Sequence, residues 1–225
     1  MGLSHSPSLV MNGLVLALDA GNTKSYPGSG TTWTDLSGNS NTGTLVNAPT
    51  YSGANGGSLS FNGSSQYVQG SGSVTTNTMT FLVWMKRNGN QPFYAGVIYT
   101  RTSGICGLHF LSTTNKIAYT WNNAASTYNW DSGLTVPDLT WCMCVISISS
   151  TSATAYLCQS SGITSATNSV SHSSITVSSP IIGRDSEDNF RFYNGNIAQA
   201  SIYNRALSAT EVSQNFNALR GRYGI

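Results

Sequence analysis

The 225-residue chain has few charged side chains, and this shortage limits the partners it can have. Charged residues make up 8% of the sequence, against about 25% in an average globular domain. The formal net charge is only +2, and the basic residues are scattered, apart from Arg220 and Arg222 near the end. A nucleic-acid-binding surface needs clustered Lys and Arg, so we expect no nucleic-acid partner.

Glutamate is the scarcest acid, with Glu187 and Glu211 as the two examples in the chain. Hydrolysis of a glycoside needs two carboxylates that flank the bond, one protonated and one ionised. Ser208 precedes Glu211 by three residues, which predicts a helix-capping box that occupies this carboxylate. The histidines are widely spaced, and no serine lies in a nucleophile-elbow context. We therefore predict no catalytic residues and a protein that is not an enzyme.

Long apolar runs are also missing. No run approaches the ~18 residues of a membrane span, and Met1–Asn12 lacks the basic and apolar regions of a secretory signal. We expect no membrane partner, and synthesis and assembly in a cytoplasm.

The chain has four cysteines. Cys142 and Cys144 lie two apart in an apolar run, so on a strand they share a face and are poorly placed to bond each other. We favour buried free thiols over a disulfide framework. A zinc site would need more Cys or His nearby than His109 provides.

Glycine, serine, threonine and asparagine are abundant, and aromatic residues make up 10% of the chain. Short apolar segments recur every ~8–15 residues between Gly/Asn turns, which predicts one β-sandwich or barrel domain. The segment Trp141–Ser149 is apolar on both faces and is predicted to be a central strand covered on both sides. We predict an N-terminal arm over 1–12 and a domain over 13–225, which ends in a helix over Ala209–Leu219.

Several separated blocks resemble one known family. They are Gly13–Asn22, Asp35–Asn39, Gly57–Gly63, Phe192–Ala198 and Ile202–Ser208. Together they resemble laminin-G-like, concanavalin-A-like jelly rolls. The resemblance implies an all-β fold: a two-sheet antiparallel jelly-roll sandwich with one short C-terminal helix. The same fold carries lectins, glycosidases, adhesion modules and inert structural domains.

The closing Arg222-Tyr223-Gly224 and the leading Met1–Pro7 resemble stand-alone proteins of tailed-bacteriophage particles. This resemblance implies a non-enzymatic virion structural protein, a capsid decoration protein on the particle surface, located in the virion after assembly in a host cytoplasm. Its partners would be other virion proteins, with the arm Met1–Asn12 contacting the major capsid protein or another copy in a homo-oligomer. The chain has no heptads or shaft repeat of the kind a tail fibre shows. The alternative is a glycan-binding adhesin that recognises surface polysaccharide.

One segment combines aromatic and amide side chains in the way that a glycan site requires. Its candidate ligand-binding residues are Trp121, Asn122, Asn123, Tyr128, Asn129 and Trp130. The alternative is that Trp121 ends one buried strand and Trp130 begins the next.

One acidic cluster offers four oxygen-bearing side chains within five residues. These are Asp185, Glu187, Asp188 and Asn189. Calcium takes several carboxylate and carbonyl oxygens, so the cluster is a candidate calcium site, although the spacing is not that of an EF-hand. We predict no cofactor apart from this candidate. The alternative is a solvated loop neutralised by Arg184 and Arg191.

The polar residues of the opening block have a simpler interpretation. Asp19, Asn22, Asp35 and Asn39 are predicted to form turns by accepting backbone N–H groups. Trp33 is predicted to anchor the core.

Overall fold

The structure, a computed structural model, describes residues 7–111 and 114–225. Strands account for 43% of the residues, and the sheets are antiparallel, so the predicted all-β class is confirmed. The strands in chain order are β1 (Leu14–Asp19), β2 (Thr32–Trp33), β3 (Gly43–Val46), β4 (Thr50–Ser52), β5 (Ser58–Asn62), β6 (Tyr67–Gln69), β7 (Ser73–Thr76), β8 (Met79–Arg87), β9 (Gly96–Thr100), β10 (Cys106–Leu111), β11 (Lys116–Trp121), β12 (Cys142–Ile148), β13 (Ala153–Gln159), β14 (Gly162–Asn168), β15 (Ile175–Ser178), β16 (Ile181–Ile182) and β17 (Asn194–Tyr203). The helices are α1 (Ala125–Tyr128) and α2 (Ala209–Leu219). All described helices are too short or too polar to cross a lipid bilayer.

Two large sheets form the sandwich. One has the order β14-β13-β12-β8-β17-β5-β4, with β1 also paired to β17, and the other has the order β11-β10-β9-β16-β6-β3-β2. Strands β7 and β15 make a separate two-stranded ribbon. The predicted two-sheet antiparallel sandwich with a short C-terminal helix is therefore confirmed.

The central strands are buried on both faces, as the sequence pattern predicts. Cys142, Cys144 and Ile146 of β12 face the core between the sheets, whereas Met143 and Val145 face a second apolar cluster. Side chains of neighbouring residues in a strand point to opposite faces, so this second cluster lies on the outer face of the eight-stranded sheet.

Helix α2 covers that outer face and has the predicted bounds. Ser208 Oγ accepts a hydrogen bond from the Glu211 N–H at 3.3 Å, and the Ser208 N–H donates to the Glu211 carboxylate at 2.9 Å, which confirms the capping box. Arg205 adds two more hydrogen bonds to the same carboxylate. These bonds, led by those from Arg205, lower the pKa of Glu211 to about 2.

A short 3-10 helix over Arg220–Tyr223 continues the chain beyond α2. The residue in the left-handed region is Gly224, with φ of 71°. Tyr223, the last residue of this 3-10 helix, lies against the sheet, where its ring stacks on Trp84 with centroids 4.4 Å apart.

The described part of the predicted arm lies against α2. The Val10 N–H donates to Asn215 Oδ1 at 2.8 Å, and its carbonyl accepts from the Tyr203 hydroxyl at 3.1 Å. Val10 is buried in the outer apolar cluster, and the Ser8 carbonyl accepts a hydrogen bond from Gln214. The second half of the arm is therefore anchored to its own domain, whereas residues 1–6 lie outside the described residues.

The predictions for the cysteines and for three of the four turn residues, Asp19, Asn22 and Asp35, are also confirmed. The prediction for Asn39 is wrong, because its amide donates to the Leu14 carbonyl and to Ser37 Oγ. All four cysteines are free and buried. Asp35 organises the opening block, because its carboxylate accepts backbone hydrogen bonds from Ala17, Ser37 and Asn41. Trp33 is fully buried in the core.

Candidate functional site

A pocket of about 240 Å³ opens on the outer face of the seven-stranded sheet. On β9 and β11, Ile98 and Tyr119 face the core, so the adjacent residues Tyr99 and Thr120 point the other way. Loops that follow β8, β11 and β16 build the walls. The lining residues are Tyr94, Tyr99, Arg101, Thr120, Asn123, Tyr128, Glu187 and Arg191.

The floor of the pocket depends on Gly107 of β10, which pairs with Tyr99 on one side and Thr120 on the other. A Cβ atom at Gly107 would lie 2.6 Å from Cδ2 of Tyr99. That distance is shorter than any van der Waals contact, so the absence of a side chain here lets the Tyr99 ring lie across β10.

Tyr94 forms one wall and is held in an uncommon backbone conformation. Its φ is 57°, in the left-handed region that bulky residues avoid. Its hydroxyl donates to Asn129 Oδ1 at 2.8 Å, and its ring meets Tyr128 edge-on with centroids 6.0 Å apart. Strained residues of this kind concentrate at functional sites.

The turn after β11 positions the opposite wall. Asn122 and Asn123 both have positive φ, at 50° and 53°, and asparagine tolerates this conformation better than most residues. The turn reverses the chain into α1, which carries Tyr128 to the pocket.

Two arginines line the pocket and are fixed by carboxylates. Arg101 and Arg191 both donate to Asp185, whose side chain is fully buried, and both donate to Glu187. Burial alone would raise the pKa of Asp185, but the hydrogen bonds from the two arginines outweigh it and the pKa is lowered. The guanidinium of Arg101 lies 5.2 Å from the Tyr99 ring centre, and that of Arg191 lies 5.0 Å from the Tyr94 ring centre.

The titratable groups of the pocket are suited to hydrogen bonding more than to proton transfer. Burial raises the pKa of Tyr99 and of Tyr94, so both phenols stay neutral donors at neutral pH. Beneath the pocket, burial lowers the pKa of His109 to about 4, so this imidazole is neutral. The one carboxylate that lines the pocket, Glu187, is already bound by Arg101 and Arg191.

The structure divides the predicted glycan patch. Tyr128 and Asn123 line the pocket, and Asn129 supports it through Tyr94. Trp121 is buried in the core, where its Nε1 donates to the Ser173 carbonyl at 2.8 Å; for this residue the buried-strand alternative is correct.

Trp130 and Asn122 also lie apart from the pocket lining. Trp130 packs against the core, with its ring 5.8 Å from that of Tyr119. Asn122 is exposed and makes a 3.5 Å hydrogen bond to Ser173 Oγ. The aromatic part of the predicted patch is thus reduced to Tyr128.

The predicted calcium ligands are engaged in ion pairs. Asp185 and Glu187 bind the two pocket arginines, and Asp188 pairs with Arg191 at 3.1 Å. The alternative from the sequence was a loop neutralised by Arg184 and Arg191. Arg191 does pair with these carboxylates, but Arg184 does not. It lies over Phe192 and Tyr67.

Across residues 7–111 and 114–225, no group of three or more His, Cys, Asp or Glu side chains is placed to hold a metal ion. Asn189, the fourth predicted ligand, is exposed and lies 3.5 Å from Arg184 Nη2. The calcium site therefore stays a prediction, and binding there would have to break the arginine pairs.

Sequence reasoning missed Tyr94, Tyr99 and Arg101. Tyr99 lies in β9, and its alternation with the apolar Ile98 is a signal that it faces outward. Tyr94 and Arg101 had no local signal, because their partners Asn129 and Asp185 lie far along the chain.

Comparison with known proteins identifies the family. A family model described as the concanavalin A-like lectin/glucanases superfamily, of the laminin G type, matches residues 61–213. The chain belongs to this superfamily. A search of curated proteins finds no match to this concanavalin A-like domain.

Solved structures share the fold of this concanavalin A-like domain at low sequence identity. One is domain 4 of AbnA, a GH43 extracellular arabinanase from Geobacillus stearothermophilus, solved in complex with arabinotriose. It is 16% identical to this chain with a TM-score of 0.64, and the match covers 91% of this chain and 98% of that one. Trypanosoma rangeli sialidase with sialic acid is 14% identical with a TM-score of 0.66, over 97% of this chain and 36% of that one. The chain thus spans about a third of the sialidase. The binding domain of Paraclostridial Mosquitocidal Protein 1 is 16% identical with a TM-score of 0.60, over 91% of this chain and 51% of that one.

Proposed function

We propose that this domain binds carbohydrate without hydrolysing it, in the pocket on the seven-stranded sheet. The observation that carries the proposal is the composition of the pocket: three tyrosines, with two arginines already fixed by carboxylates. Sugars present apolar ring faces and a rim of hydroxyl groups. Tyrosine rings offer apolar contact with a polar tip, and fixed guanidinium and amide groups offer directional hydrogen bonds.

The volume of the pocket supports a small occupant. At about 240 Å³ it lies below the ~300–1,000 Å³ of pockets for drug-sized ligands. A single sugar unit is the size of ligand that we propose for it.

The state of the carboxylates supports binding over catalysis. A glycosidase needs one carboxyl group with a raised pKa to act as acid. Asp185 has a lowered pKa, and Glu187 is held by two arginines, so neither is suited to that role. The arabinanase domain solved with arabinotriose adds support for sugar binding on this fold.

A glycan array with the purified protein tests the proposal. We expect binding to a defined set of glycans, and loss of that binding in the Tyr128→Ala variant. Tyr156→Ala is the matched control, because Tyr156 is also half-buried but packs on the outer face of the other sheet. An array without binding by the wild type, or equal binding by both variants, would contradict the proposal.

We also propose that this binding module is displayed on a phage particle as a capsid decoration protein. The supporting observation is the position of residues 8–10 on α2, over the outer face of the eight-stranded sheet and opposite the pocket. A chain attached to the major capsid protein through residues 1–7 would therefore present its pocket outward, to surface polysaccharide.

Deletion of residues 1–7 tests this attachment and retains the buried Val10. We expect the truncated protein to melt at the wild-type temperature and to lose co-sedimentation with capsids. Undiminished co-sedimentation would show that the attachment lies elsewhere.

A further inference from the structure

A second, wider pocket lies directly beside the first. It has a volume of about 560 Å³, and its lining includes Pro92, Asn189 and Phe190. The same two chain segments continue into Tyr94 and Arg191, which line the first pocket. The two pockets are thus separated only by the segments 92–94 and 189–191.

The partition between the pockets is an aromatic ridge, formed by Phe93, Tyr94, Phe190 and Arg191. The Arg191 guanidinium lies 5.0 Å from the Tyr94 ring centre and 5.9 Å from the Phe190 ring centre. The Phe93 ring meets the Tyr94 ring edge-on, with ring centroids 3.9 Å apart. The arginine therefore joins the aromatic side chains of the two segments into one continuous surface.

The phenylalanine side chains of the ridge are unusually exposed to solvent for apolar groups. Phe190 is 54% exposed and Phe93 is 42% exposed. In the described chain five large apolar side chains are more than a third exposed, and the other three are Met11, Leu139 and Ile163. Two of the five therefore coincide with the boundary between the pockets. Exposed apolar groups that cluster in this way indicate a binding surface.

The second pocket is lined by uncharged residues, within the described parts of the chain. Asn90 Oδ1 accepts a hydrogen bond from Asn115, and Asn189 Oδ1 accepts one from Arg184, so the N–H₂ groups are the parts of these two amides that can donate to a ligand. The positive charges of the first pocket are matched by Asp185, Glu187 and Asp188. Among the described residues, each arginine that lines the first pocket has a carboxylate partner, and the second pocket is lined by no cation that could bind an acidic ligand.

We infer that the two pockets are subsites of one groove, and that the ligand is an uncharged oligosaccharide of more than one sugar unit that crosses the aromatic ridge at Phe190. The inference rests on the proposed carbohydrate binding. It adds the length and the charge class of the ligand. A sugar unit in the first pocket would be joined to further sugar units. Those units would pack on Phe190 and exchange hydrogen bonds with the side-chain amides of the second pocket.

Isothermal titration with oligosaccharides of increasing length tests the inference. The probes are arabino-, xylo-, cello- and manno-oligosaccharides of one to six units, with oligogalacturonates of the same lengths as the acidic series. We expect affinity for at least one neutral series to rise about tenfold or more between one unit and three or four units, and then to level off. Oligogalacturonates should bind more weakly than that neutral series at every length.

The Phe190→Ala variant tests whether the higher affinity for longer oligosaccharides comes from contact with Phe190. Its side chain is exposed, so the fold should not depend on it. We expect the variant to lose about tenfold for the longer oligosaccharides, as befits one aromatic contact, and to bind the single unit like wild type. Leu139→Ala is the matched control, because Leu139 is 64% exposed and lines neither pocket.

The other possible results of the titrations would each contradict a specific part of the inference. Equal affinity for one unit and for longer chains, or an unchanged length profile in Phe190→Ala, would overturn the extended groove while leaving carbohydrate binding in the first pocket intact. Tighter binding of oligogalacturonates would overturn the uncharged class. Absence of binding by every series would overturn both this inference and the proposed function.

Discussion

The substitution Asp185→Asn should destabilise the domain far more than a change to the neighbouring acids. The Asp185 side chain is fully buried, and it accepts hydrogen bonds from Arg101 and Arg191, whose side chains are 16% and 13% exposed. Removal of one partner from a buried ion pair costs about 3–5 kcal/mol. We expect the lower end, about 3 kcal/mol, because Glu187 and Asp188 still face the arginines.

The contrast with Asp188→Asn makes the prediction specific. The Asp188 side chain is 42% exposed and pairs with Arg191 alone, so its loss should cost less than about 1 kcal/mol. For a domain of this length, about 3 kcal/mol corresponds to a fall in melting temperature of about 6–12 °C. Urea unfolding followed by tryptophan fluorescence gives the free energies, and calorimetry gives the melting temperatures.

The effect should also depend on pH. The pKa of Asp185 is lower in the folded state than its ordinary value. Its ion pairs therefore stabilise the fold above the unfolded pKa of about 3.9, and this stabilisation is lost as the pH falls through the folded value. The difference between wild type and Asp185→Asn should shrink below about pH 4. Equal losses for Asp185→Asn and Asp188→Asn, or a difference that persists unchanged into acid, would refute the reasoning.

Three further predictions concern the helix and the core. Ser208→Ala should lower the free energy of unfolding in urea by about 1 kcal/mol, because it removes the cap of α2. The stabilisation from Glu211 should be lost between about pH 4.5 and pH 2, since its folded pKa is about 2. A stability that stays constant over that pH range would count against the cap. Phe216→Ala should cost about 3–5 kcal/mol and weaken the near-UV circular dichroism of Trp84, which stacks on Phe216 at 5.5 Å; a loss below about 1 kcal/mol would be incompatible with this packing. The four buried thiols should react with Ellman's reagent only after unfolding in urea, and rapid labelling of the folded protein would show that they are accessible.

Much of the fold follows from local patterns in the sequence. The face alternation of β8 and β12 is readable because apolar residues occur on both sides of each strand. The start of α2 is readable because Ser208 and Glu211 make a capping box within four residues. Strand β14 is not readable from the sequence, because its residues are mostly exposed and therefore show no apolar alternation.

The site was less predictable because its parts come from distant segments. The sequence pointed to Tyr128 and Glu187 in two unrelated candidate clusters, a sugar patch and a metal loop. The fold brings both to one pocket, through a left-handed turn at Asn122 and the buried Asp185. The partners that join them, Tyr94 and Arg101, carry no motif that a reading of the sequence could recognise.

Strand β17 has a consequence for the order in which the protein can fold during synthesis. It pairs with β8, β5 and β1, so strands that are synthesised early in this domain wait for the last strand of the domain. Contacts between such distant segments slow folding, and unpaired strand edges are exposed meanwhile. The eight-stranded sheet therefore closes only after β17 has been synthesised, and truncation before β17 would leave β8, β5 and β1 without their shared partner.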